Sequence, residues 1–150
     1  MANIAEAKGR IYVDDAVYEN HHKVFDLLWD ELNAGRLDEY GIYVMSKSES
    51  EAEFEGAGRW EMQNTIYDVL NSKKDALKQV KKILHEAGGT LTFEYDEYEP
   101  GNEILRSVEL GFLVREDGSW EITNETVNDY SYDDEIIEEL GFTPADEGDF

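Results

Sequence analysis

A chain of 150 residues suits one domain with its own hydrophobic core and leaves little for a second. With 41% hydrophobic and 12% aromatic residues it is no disordered acidic chain, yet 36 carboxylates against 13 Lys and Arg set its net charge at −23. The absence of cysteine excludes disulfides, thiol nucleophiles and thiolate metal sites, and the charge argues against direct binding to nucleic acid or to an anionic membrane.

In chain order, residues 9–14 read as a short strand. Val17, His21, Val24, Phe25, Leu28, Trp29 and Leu32 then recur at three- and four-residue steps, which predicts an amphipathic helix over about 16–34. Asp14 or Asp15 suits its N-cap, and Gly35 follows its end. Two strands, 40–47 and 51–58, flank a polar turn at 46–50. A helical region spans about 61–87, with Asn71-Ser72 as a potential interruption because Ser72 and Asp75 resemble a capping box. Gly88-Gly89 ends it. Three strands follow as a meander, 90–98, 103–115 and 119–126, with turns at Pro100-Gly101-Asn102 and Asp117-Gly118. A short acidic helix near 133–140 closes the pattern. The expected fold class is therefore α+β. It has an antiparallel sheet of five to six strands with two main helices on one face, in the order β-α-β-β-α-β-β-β, plus the C-terminal helix. The first six elements follow the ferredoxin-like split pattern. Residues 1–142 are expected to form a single domain and 143–150 a flexible acidic tail.

The charge is unevenly spread. Residues 93–150 hold 19 acids and two bases (Arg106, Arg115), a net −17, and residues 1–92 hold 17 acids and 11 bases, a net −6. Such asymmetry marks an interaction face. Glu49, Glu51, Glu53 and Glu55 occupy alternate positions, so a strand would align them on one face about 6.6 Å apart, with Ala52 and Phe54 turned to the core. The same pattern would also protect an edge strand from aggregation. A second set, Glu94, Asp96, Glu97, Glu99 and Glu103, surrounds the first meander turn. Glu116, Asp117, Asp129, Asp133, Asp134, Glu135, Glu138 and Glu139 extend it. Tyr98 and Tyr132 lie among these acids as candidate anchors. Lys73, Lys74, Lys78, Lys81 and Lys82 are the basic exception, and could pair with acids of a second copy, which leaves a homodimer open.

Catalytic and metal signals are thin. Gly56 and Gly58 lack the third glycine of a phosphate-binding loop. Glu19 and His22 form only half of a di-metal carboxylate pattern. Asp96–Glu103 does not match a calcium loop. No cofactor, metal site or enzymatic activity is expected, and neither a membrane-length apolar run nor a signal-peptide core is present, which suits the cytoplasm. In size, charge, lack of cysteine and carboxylate rows, the chain resembles the small acidic anti-CRISPR and anti-restriction proteins of phages and mobile elements. The resemblance includes no alignable motif. It implies an inhibitor that presents a nucleic-acid-mimicking surface to the basic cleft of a CRISPR nuclease, restriction enzyme or other DNA-binding protein. The alternatives are an immunity or antitoxin protein against a basic toxin, and a small regulatory or ligand-binding domain whose acidity is incidental.

Overall fold

The computed structural model describes residues 4–33, 41–71 and 75–144, the side chains of Leu32, Asn33 and Arg59 excepted. Strand β1 (Ile4–Val13) alternates buried Ala5, Ala7, Ile11 and Val13 with Glu6, Lys8, Arg10 and Tyr12. Its two faces are chemically opposite, which fixes its register. Helix α1 (Asp15–Asn33) buries Val17, Phe25, Leu28 and Trp29 and bends at His21, whose backbone is non-helical. The hairpin of β2 (Gly41–Ser48) and β3 (Glu51–Arg59) is followed by α2 (Met62–Leu70) and α3 (Asp75–Ala87). The helical region expected over about 61–87, with a potential interruption at Asn71-Ser72, is thus two helices. The turn begins at Asn71, whose backbone and side-chain amides both donate to the Tyr67 carbonyl. Ser72, half of the expected capping box, lies outside the described residues. Gly88, at φ +69°, ends α3 with its N–H on the Leu84 carbonyl.

Strands β4 (Leu91–Glu99), β5 (Ile104–Val114) and β6 (Trp120–Asp129) form the expected meander, and α4 (Asp134–Glu139) follows. All six strands pair antiparallel in the order β2-β3-β1-β4-β5-β6. The first four have the ferredoxin-like arrangement, and the β5–β6 hairpin widens it. β1 starts earlier than its short polar sequence suggests, because Ala5 and Ala7 continue its buried parity.

Helices α1, α2 and α3 cover one face of the sheet. Their apolar residues join Ile11, Phe54, Leu91, Phe93, Tyr95, Leu110 and Phe112 in one continuous core. Gly9 is what this packing requires at the centre of β1. Phe54 and Tyr95, its partners on either side, meet edge to face at 6.1 Å, and a Cβ there would lie 2.0 Å from the Glu94 carbonyl oxygen. On the opposite face, α4 covers only one end, where Tyr98, Leu105, Ile137 and Phe142 form a separate small core. Among the described residues, the rest of that face carries no helix. No helix among the described residues is long and apolar enough to cross a membrane. Of the expected tail, residues 143–144 are irregular and 145–150 lie outside the described residues.

Candidate functional site

Antiparallel pairing puts opposed residues on one face, so the register writes the open surface row by row. One row reads Glu53, Arg10, Glu94, Glu109 and Thr126 across β3, β1, β4, β5 and β6. The next reads Glu55, Lys8, Asp96, Ser107 and Asn128. Strand spacing of about 4.8 Å therefore places two carboxylate bands about 10 Å apart, one on β3 and one on β4, with β1 between them. The face forms a trough of about 790 Å³ lined by Glu51, Glu53, Glu55, Glu94, Asp96 and Glu109, with Lys8 and Arg10 in its floor.

Both floor cations are already engaged. Arg10 reaches Glu51 at 3.2 Å and Glu94 at 3.3 Å, and its guanidinium lies over the Tyr12 ring at 4.6 Å. Burial opposes the Arg10 charge, but Glu94 and Glu51 outweigh it and hold the pKa above its usual value. Lys8 contacts Glu55 at 3.8 Å, donates to the Gly141 carbonyl and lies 5.5 Å from the Phe142 ring centre. Tyr12 donates to Glu109 at 3.3 Å and Tyr130 to Asp96 at 3.0 Å. Burial pushes the Asp96 carboxyl above the usual range. The Tyr130 hydrogen bond partly offsets this, and Glu94 adds to the upward push.

Of the predicted row on β3, Glu51, Glu53 and Glu55 share the open face, with Ala52 and Phe54 buried behind them. Glu49 does not join them. It sits in the β2–β3 turn at φ +54°, where its carbonyl accepts from the Trp29 indole at 3.1 Å.

The second predicted set divides by strand parity. Glu94 and Asp96 face the trough, but Glu97 and Glu99 share the inner face with Phe93 and Tyr95 and are 0% and 1% exposed. Both are structural, not surface, groups. Glu97 accepts from Arg106 Nε at 2.6 Å and from the backbone N–H of Met62, so it caps α2 in place of Glu61, whose own side chain makes no cap. Arg106 also reaches Glu61 at 3.3 Å. Glu99 folds back on the β4–β5 turn and accepts from the amides of Gly101 and Asn102 at 2.8 and 2.7 Å.

Tyr98 is 3% exposed, stacked between Tyr132 and Phe142, and is equally no free anchor. Tyr132 itself is 36% exposed. Glu103 is exposed in the β4–β5 turn. Glu116 and Asp117 lie at the other end of the sheet, where Asp117 accepts from the Ser119 amide and hydroxyl. Asp129 ends the edge strand opposite Arg106. Asp133 is spent capping α4 through the Ile136 amide, whereas Asp134, Glu135, Glu138 and Glu139 are exposed on that helix.

Sequence reasoning missed Glu109, Glu6 and Trp60. For Glu109 the signal was present, since apolar Val108 and Leu110 leave it no place but the open side. Among the described residues no group of three or more His, Asp or Glu is arranged to hold a metal ion.

Fold and face together define an α+β protein with a ferredoxin-like strand order, a hairpin extension and an acidic sheet surface that, among the described residues, α4 covers at one end only. Compared with family models, with curated proteins and with solved structures, the chain shows no match to any.

Proposed function

We propose that this protein is a cytoplasmic, non-catalytic inhibitor that blocks a basic, nucleic-acid-binding cleft of another protein with the open face of its sheet. The observation that carries the reading is the pair of carboxylate bands flanking β1. Nucleic-acid duplexes present two regular anionic rows across a groove, and a cleft evolved to bind those rows meets similarly spaced charges here. The two cations between the bands are engaged internally, so the face remains anionic. A net charge of −23 speeds encounter with a basic partner and disfavours others. The class of target is that of CRISPR nucleases, restriction enzymes and other DNA-binding machines.

The test is affinity capture from a bacterial lysate with wild type beside a variant carrying Gln at Glu51, Glu53, Glu94 and Glu109. Glu97 and Glu99 are left alone because they are buried and hydrogen-bonded within the fold. The expected result is a nucleic-acid-binding protein recovered by wild type only, released by duplex DNA and by moderate salt. Equal recovery by both baits refutes the reading. A partner that resists both DNA and salt points instead to the more local interface of an immunity protein.

A further inference from the structure

Trp60 lies between the end of β3 and Glu61, the residue that opens α2, with φ at +69°. A left-handed backbone is a genuine outlier for a bulky aromatic residue, and such strain concentrates at functional positions. Burial does not compensate it, because the residue is 46% exposed, as is its neighbour Ile4 at 45% across the strand pair from Arg59. The other two tryptophans show how a structural indole behaves in this fold. Trp29 is buried and donates to Glu49, and Trp120 packs on Phe112 and donates to the Leu70 carbonyl. Among the described residues Trp60 has no such partner.

The molecule also shows how it holds a cation. Arg10 lies over Tyr12 between Glu51 and Glu94, and Lys8 lies by Phe142 beside Glu55. These two sites combine a ring with carboxylate. At Trp60 the ring is present, and Glu61 follows it with a half-exposed carboxylate that already binds the Arg106 guanidinium. Among the described side chains no cation lies over this ring. We infer that Trp60, with Glu61, is the docking point for an arginine of the basic partner. This deepens the proposed function and rests on it. Indole gives the strongest cation–π face, and guanidinium, planar and weakly hydrated, exploits it better than an ammonium does.

The experiment is calorimetric titration with two probes of equal charge, an arginine decapeptide and a lysine decapeptide. The proteins are wild type, Trp60→Ala, Trp60→Gly and a variant with Gln at Glu51, Glu53 and Glu55. Wild type is expected to prefer the arginine peptide about two- to fivefold. Both Trp60 substitutions should erase that preference, weakening the arginine peptide more than the lysine peptide. Trp60→Gly should also raise the thermal midpoint by about 2–4 °C, because glycine adopts positive φ freely. A preference that survives both substitutions overturns the docking point, as does a lowered midpoint in Trp60→Gly, which would make the indole structural. The triple Gln variant isolates the broader reading. If it binds both peptides as tightly as wild type, the acidic face is not the working surface; if it weakens while Trp60→Ala keeps the arginine preference, only the docking point fails.

Discussion

Strand β4 carries four carboxylates within six residues, and its two faces use them for opposite ends. Glu94 and Asp96 look into the trough, where they meet solvent and the floor cations. Glu97 and Glu99 look toward the helices, where each is fully buried and hydrogen-bonded to groups that would otherwise be orphaned. The difference teaches that acidity in this chain is two populations. One specifies the fold by capping α2 and the β4–β5 turn. The other lines the open face of the sheet.

The comparison is broken most directly at Glu97. Glu97→Ala leaves Arg106 with Glu61 alone and uncaps α2, and should cost about 3 kcal/mol in urea-unfolding experiments, the lower end for a broken buried pair because Arg106 is partly solvated and keeps a second carboxylate. Glu94→Gln should change stability by less than about 0.5 kcal/mol in the same assay, as exposed pairs do. Equal costs would erase the distinction between the two populations. Next in size is Ile137→Ala, expected to cost about 2–3 kcal/mol locally. Ile137 belongs to the small core under α4 and not to the main one, so hydrogen exchange should accelerate in α4 and leave β1 and β4 protected. Uniform acceleration would show that the two cores unfold as one.

Much of this division was legible in the chain. The alternation that turns Phe93 and Tyr95 inward also assigns Glu97 and Glu99 to the same side, and a turn at residues 100–103 places Arg106 opposite Glu97. Grouping Glu94, Asp96, Glu97 and Glu99 as one surface set overlooks that parity. The burial of Tyr98 was not legible in this way. Its parity puts it on the open face with Glu94 and Asp96, and it is buried only because α4 returns to cover it, a contact made across the sequence and not within the strand. Trp60 lies further still from what pattern shows, since neither periodicity nor composition marks a tryptophan for a left-handed backbone. The elements themselves followed from periodicity and turn residues. The break between α2 and α3 was signalled by Asn71, which satisfies the Tyr67 carbonyl twice over.

The smallest expected effect sharpens the comparison within the open face. Asp96 is the member of the trough whose carboxyl burial pushes upward, with the Tyr130 hydrogen bond only partly offsetting the shift. A carboxyl with a raised folded-state pKa binds its proton more tightly folded than unfolded, so folding is favoured as pH falls through the carboxylate range and loses that contribution as pH rises above it. Asp96→Asn removes the ionisation and keeps an oxygen to accept from Tyr130. Its thermal midpoint should therefore lie slightly above wild type at neutral pH, and the two should converge as pH falls through the carboxylate range and wild-type Asp96 takes up its proton. Glu53→Gln, on the same face but exposed, provides the control for general relief of repulsion. If both variants shift by the same amount at every pH, Asp96 is an ordinary surface charge. A larger and pH-dependent shift for Asp96→Asn marks it as the point where the trough begins to exclude water.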